Sequence, residues 1–284
     1  MTGAYGRRER PPAPEPLAGA GTIDSHTHLD ACGCVTAEDV RAAMDRAEAV
    51  GVRAAVTVAD DLDSARWVLG AAEADRRVLA AVALHPTRAH LLDDAARAEI
   101  EKLAAAPRAV AVGETGLDYY WPQHDPNTAD PAVQREAFAW HIDLAKRLDK
   151  PVMIHDRDAH QDVLDVLRAE GAPERVIFHC FSGDAGLARS CADAGYLMSF
   201  AGPITFRNAV ALREAAALAP ADLLLVETDA PFLTPHPHRG RANEPYCLPW
   251  TVRGLAAARG EAAEAVAEAT RANAERVFRI AELR

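Results

Sequence analysis

Apolar residues in this chain come in short unbroken runs, separated by longer stretches of helical period. Runs such as Ala109-Val110-Ala111-Val112, Val152-Met153-Ile154 and Val176-Ile177-Phe178 show no polar alternation. They suit parallel strands covered on both faces. Strands are predicted over residues 22–29, 53–59, 78–85, 109–114, 151–155, 175–179, 196–200 and 222–228. Helical patterns lie between them, over 37–50, 62–74, 94–105, 133–148, 159–170, 185–194 and 208–218. The first opens after Thr36 with Glu38 and Asp39 in its first turn and closes before Gly51, a plausible cap at each end. A long Ala/Glu/Arg-rich region from Leu248 onward predicts two helices broken near Gly260.

Eight strands, each followed by a helix, predict an α/β fold of the TIM (β/α)8 barrel type, one domain over residues 22–284. A doubly wound open sheet is the weaker alternative, because no Gly-x-Gly-x-x-Gly follows the first strand. Residues 1–21 carry Arg7, Arg8, Arg10 and four prolines with no apolar stretch; they predict a flexible tail and no secretory signal. Residues 119–130 and 236–243 read as long loops.

Composition changes this picture little. At 284 residues and 49% hydrophobic content a sizeable core can form. No apolar run approaches the roughly 18–20 residues of a membrane span, so no membrane partner is expected. Five cysteines, an odd number, point to free thiols in a reducing compartment, the cytoplasm. Cys32-Gly33-Cys34 has no second cysteine pair to complete a thiolate site. A net charge of −11 argues against long-range attraction of nucleic acid, although a local basic rim could still hold a phosphate. No obligate protein partner is evident.

The candidate chemistry sits where strands end. The first strand leads into His26-Thr27-His28, and residues i and i+2 of a strand point to one face. Strand four ends at Glu114, strand five at His155, strand six at His179 and strand eight at Asp229. In a parallel barrel all these ends open on one mouth, where active sites lie. A single strand-end histidine or acid is ordinarily a satisfied polar residue, and Gly113-Glu114-Thr115-Gly116 alone could be a turn. Five such endings on five strands are a poor coincidence. Four imidazoles and two carboxylates exceed the need of one ion and suit two divalent ions about 3.5–4 Å apart. His85 ends strand three and faces the same mouth, as a substrate contact or a neighbour of the ligands. His141 and His160 fall in helices and read as structural or solvated. His90, His124, His236 and His238 fall in loops; the last two either line the rim with Arg239 and Arg241 or are simply surface residues.

With their neighbours these residues resemble the TatD family of metal-dependent deoxyribonucleases, in the amidohydrolase superfamily. The segments that carry the resemblance are Asp24-Ser25-His26-Thr27-His28-Leu29-Asp30, Gly113-Glu114-Thr115-Gly116-Leu117-Asp118-Tyr119, Pro151-Val152 through His155 to Arg157-Asp158-Ala159, His179-Cys180-Phe181-Ser182-Gly183, Glu227-Thr228-Asp229-Ala230-Pro231 and Asn243-Glu244-Pro245. They run in family order from about residue 22 to the end. The tail lies outside them. Two positions depart from the pattern: Ala83 stands where a glycine is common, and Asp156 follows the strand-five histidine, where a small or neutral polar residue is usual. Asp156 is expected to bring negative charge beside the site.

The resemblance implies that Glu114 bridges two ions, that His26, His28 and Asp229 hold one, and that His155 and His179 hold the other. The ions would be Zn²⁺, Mn²⁺ or Mg²⁺; the nitrogen ligands favour the first two. It implies a hydrolase acting on DNA at single strands or strand ends, as a 3'-5' exonuclease. Asp229, with Glu114, would serve catalysis by taking the proton of the attacking water. His85, Arg157, Arg207 and Arg241 are candidates to contact substrate. The alternative is a carbonyl ester or amide hydrolase on the same barrel, a lactonase, amidase or aminoacyl ester deacylase, which net acidity and Asp156 favour. A non-catalytic metal-binding scaffold fits less well with so full a ligand set.

Overall fold

The computed structural model describes residues 8–280. Strand β1 is Thr22–Thr27, β2 Val52–Val58, β3 Val78–Ala81, β4 Ala109–Asp118, β5 Val152–Arg157, β6 Val176–Phe178, β7 Leu197–Phe200 and β8 Leu224–Val226. They pair in parallel in chain order from β1 to β8. Helices α1 (Ala37–Ala49), α2 (Leu62–Ala74), α3 (Asp94–Ala104), α4 (Pro131–Leu148), α5 (His160–Glu170), α6 (Ala185–Asp193) and α7 (Val210–Leu218) alternate with the strands, and α8 (Leu248–Arg259) and α9 (Ala263–Val277) follow β8. The predicted TIM barrel is the observed fold. Its seam between β8 and β1 is bridged by a few bonds: Asp229 N–H to His26 O at 3.0 Å, His28 N–H to Ala230 O at 2.7 Å, and Ser25 Oγ to Val226 O at 3.0 Å.

Local chemistry explains the element boundaries. Thr36 and Asp39 form a capping box on α1, as Asp61 and Ser64 do on α2. Asp130 caps α4, with Pro131 in the first turn, where its missing N–H costs nothing. Gly260, with φ of 67°, ends α8 in the left-handed region that disfavours side chains with a Cβ. That is the predicted break.

Two apolar layers hold the barrel. Ile23, Val56, Leu79, Val110, Met153, Ile177, Leu197 and Leu225 pack in its interior with Val277 of α9 and Phe278, which follows it. The outward strand faces pack on helices through side chains such as Phe138, Ile142, Val163 and Leu255. Each such side chain contributes about 1.5–3 kcal/mol. Helix α9 covers the end where the strands begin: Thr22 Oγ1 meets Thr270 Oγ1 at 2.8 Å, and Asn273 Nδ2 donates to Leu224 O at 2.9 Å. Only the opposite end, where the strands finish, is left for a site.

Three expectations change. Strand β4 does not finish at Glu114; it continues to Asp118 and stays paired with β5 as far as Asp118 opposite Arg157. Strand β3 is shorter than expected, ending at Ala81, and His85 caps a 3-10 turn over Pro86–Leu91. The described part of the expected flexible tail lies against the barrel. Leu17 is buried and its N–H bonds to Val50 O, Tyr246 Oη donates to Pro11 O, and Arg253 donates to Glu15 O. Residues 1–7 lie outside the described residues. No helix among the described residues is long and apolar enough to cross a membrane.

Candidate metal centre

The barrel mouth gathers the predicted ligands. His26 and His28 share one face of β1 and its extension, and their Nε2 atoms lie 3.1 Å apart. Glu114 Oε2 is 3.5 Å from His26 Nε2 and 3.8 Å from His28 Nε2, while Asp229 Oδ1 is 3.7 Å from both. Metal–nitrogen and metal–oxygen bonds of about 2.0–2.2 Å set ligand atoms roughly 3.4 Å apart around a tetrahedral ion. The four atoms therefore fit the edges of one coordination polyhedron. Two ring nitrogens this close also call for a cation or a proton between them.

Glu114 faces a second group with its other oxygen. Oε1 is 2.5 Å from His155 Nδ1, 2.8 Å from His179 Nε2 and 3.6 Å from His85 Nε2. One carboxylate thus addresses two sets of imidazoles, the arrangement of a bridging ligand. His179 stacks on His26 at 3.9 Å between ring centroids, so the two sets are contiguous. Triads capable of holding an ion include His26–His28–Glu114, His26–His179–Asp229 and His85–Glu114–His155. His85 therefore stands close enough to the second set to be a ligand candidate itself.

Nearly every ring is oriented by a partner on its other nitrogen, as metal-binding histidines generally are. His155 Nε2 meets Asp118 Oδ2 at 2.9 Å, His179 Nδ1 meets Glu227 Oε1 at 3.2 Å, and His28 Nδ1 donates to Val58 O at 3.2 Å. His26 Nδ1 has only the Met153 thioether, at 3.2 Å. Behind the seam, Asp24 takes Thr228 Oγ1–H at 2.6 Å and Thr228 N–H at 2.9 Å, which fixes the approach to Asp229. Asn243 Nδ2 donates to Thr228 O, and Arg46 grips Glu244 through two bonds, tying the far end of the β8–α8 loop to α1. Asp229 sits at φ of 50°, an uncommon region for a non-glycine residue and one that recurs at functional sites.

Electrostatics match the geometry. Burial alone would raise Glu114, but His179, His85 and His155 hold it well below the usual carboxylate range. Burial opposes charge on His28 and His155 too, yet Asp60 and Asp229 raise the first and Asp118 and Glu114 raise the second. His26 is lowered by burial and by the neighbouring His179. Burial drives His85 down to about 4, so its ring stays neutral near pH 7. The carboxylates of Glu114 and Asp229, both buried yet held below the usual range by neighbouring imidazoles, are ionised and ready for cations. Protons on several imidazoles must leave before a metal can bind.

Sequence reasoning missed Asp118, Glu227, Asp24 and Asp60 as parts of this site. The signal for Asp118 was parity: 114 and 118 share one face of an extended strand. Other expectations separate spatially. The Asp156 carboxylate does not enter the mouth; it pairs with His160 Nδ1 at 2.7 Å. That removes the expected negative charge beside the site and gives His160 its role. Arg157 lies flat over Tyr120, 3.8 Å from the ring centroid, two residues beyond His155. Arg241 pairs with Glu9 at 3.5 Å, and Arg207 is exposed. His141 is structural: it accepts from Leu84 N–H and bonds Ala137 O and Thr115 Oγ1.

Comparison with known proteins gives the same picture. The family model described as TatD related DNase matches residues 23–279. A Mycobacterium tuberculosis protein named as the metal-dependent hydrolase TatD is 66% identical over 256 residues, 90% of this chain and 97% of that protein. A protein of Erwinia billingiae named 3'-5' ssDNA/RNA exonuclease TatD is 39% identical over 204 residues, 69% of this chain and 76% of that one. The crystal structure of a TatD homologue from Escherichia coli K12 superposes with a TM-score of 0.82 at 30% identity, covering 91% of this chain and 98% of that chain.

Proposed function

This chain belongs to the TatD family of metal-dependent hydrolases, and from that membership we propose that its barrel mouth cleaves phosphodiester bonds at the end of a single DNA strand, in the 3'-5' direction. The observation that carries the reading is Glu114, whose two carboxylate oxygens face separate imidazole sets at 2.5–3.8 Å. Its relative in Erwinia, named as a 3'-5' exonuclease on single strands, supports the substrate. In this reading Glu114 would serve both of two divalent ions, His26, His28 and Asp229 would hold one, and His155 and His179 would hold the other with His85 beside them. When bound, such ions bring the pKa of a water toward neutrality and offset charge on phosphoryl oxygens.

The chain's own residues do the rest. Asp229 Oδ1, facing His26 and His28 at the edge of the mouth, accepts the proton of the attacking water. Asp118 and Glu227 hold the rings of His155 and His179, so those ligands need not reorganise as charge develops. Arg157, the last residue of β5 and held over Tyr120, meets the phosphate. A recessed mouth admits a strand end more easily than a duplex interior. Attack on a carbonyl has less support now that Asp156 is turned toward His160.

End-labelled single-stranded DNA should be shortened by purified protein with Mg²⁺, Mn²⁺ or Zn²⁺, and chelator should stop it. His155→Ala and Asp229→Asn should each lower the rate by at least about 10²-fold. Inactivity with all three metals, or full activity in both variants, would overturn the reading. Lactones, acyl amides and aminoacyl esters run in parallel would then identify a carbonyl substrate.

A further inference from the structure

Beyond the mouth, a cavity of about 420 Å³ opens between the turn after β7, the β8–α8 loop and the outer faces of α7 and α8. Its size falls within the roughly 300–1,000 Å³ of small-molecule sites. The lining includes Arg213, Arg253, His236 and the indole of Trp250, and no carboxylate. In a chain of net charge −11 that is an unusual concentration of positive charge.

The two guanidinium groups are held without being neutralised. Arg213 donates to the carbonyls of Phe206 and Arg207, and Arg253 to those of Glu15 and Pro16. Neither makes an ion pair among the described residues, so their charge is open to an outside anion. Trp250 is braced by His238, 4.5 Å away between centroids. At the edge, Arg239 lies over Phe206 at 4.1 Å. The site thus combines fixed cations with a flat apolar ring. That is the chemistry that recognises a phosphate joined to a heterocyclic base.

Its position suits a strand entering the metal centre. Phe232 packs edge-on against His28, 5.9 Å between centroids, and His236 is four residues further along the same loop. Four residues of extended chain span at most about 14 Å. Barrels of this architecture also place phosphate sites in the loops after strands seven and eight. We infer that this cavity binds a nucleotide of the substrate strand beyond the one being cleaved, its phosphate on Arg213 and Arg253 and its base on Trp250. The inference rests on the proposed nuclease reading only for the strand; the nucleotide site can be tested without it.

The first test is calorimetric titration of the full-length, metal-loaded protein with thymidine 5'-monophosphate, thymidine and inorganic phosphate. The nucleotide should bind more tightly than either fragment. Arg213→Met, Trp250→Leu and Ala257→Glu should each weaken it about tenfold, while Asp229→Asn should retain it. Ala257 lies exposed on α8 at the cavity wall, so its glutamate adds opposing charge without disturbing the fold. Unchanged affinity in Ala257→Glu and Arg213→Met, or an equal weakening of phosphate and nucleotide binding by these variants, would overturn the inference. On tetrathymidylate the same variants should raise KM about tenfold. If the wild type shortens DNA and KM does not move, the cavity has no part in strand binding and the inference falls. If the wild type shortens no nucleic acid but nucleotide binding follows the variants, the nuclease reading falls and the nucleotide site stands.

Discussion

At the scale of single residues, the groups behind the candidate ligands orient their rings. Asp118 and Glu227 touch His155 and His179 at 2.9 and 3.2 Å and face no substrate. Asp118→Asn and Glu227→Gln should each lower metal affinity about 10–100-fold, read by competition with a chromogenic chelator. His141 makes a different prediction. Burial pulls it down to about 3, and its unprotonated Nε2 accepts from Leu84 N–H. Its folded pKa lies below the unfolded value of about 6.5, so its contribution is complete above pH 6.5 and is lost as pH falls toward 3. By pH 5 the loss should reach about 2 kcal/mol. Urea titrations at pH 7 and pH 5 check this; the drop should be smaller in His141→Gln. The six expected ligand positions were legible because each lies near or just past the end of a predicted strand. Asp118 was not, because Gly116 within its segment reads as a turn.

That glycine belongs to the scale of elements. Strand β4 carries Glu114 and Asp118 on one face only because its chain stays extended through Gly116, at φ of 135°. A Cβ there would stand 2.2 Å from His155 O, which no side chain tolerates. Gly116→Ala should therefore separate β4 from β5 where Glu114 and His155 sit. It should cost about 3 kcal/mol or more by denaturant unfolding and reduce bound metal per chain by elemental analysis. Helices were easier to read than strands. The predicted 62–74 is α2 as observed, since Asp61 and Ser64 announce its start. Strand ends are set by pairing with neighbours distant in sequence. For that reason β3 stopped four residues short of the expected 85, and β4 ran four past 114.

At the scale of the molecule, the described residues before β1, from residue 8 on, form a strap across the outside of the barrel. Leu17 is buried against α1's end, Arg10 reaches Glu244, and Tyr246 holds Pro11. Proline and arginine content suggested flexibility because sequence alone could not show the surface that these residues meet. Removing residues 1–18 should cost about 2 kcal/mol for Leu17 alone and lower the melting temperature by a few degrees. The seam carries a larger consequence. A barrel whose last and first staves are joined through backbone bonds of Asp229 to His26 and of His28 to Ala230 is closed by the same residues that are its candidate ligands. Cations gripping those side chains then act as a clasp, and occupancy at 100 times Kd adds about 2.7 kcal/mol to whatever holds the seam shut. Chelation should speed deuterium uptake at the His28 and Asp229 amides before it does so at β5 or β6. In this molecule, the ion that readies a water would also keep the vessel from opening along its side.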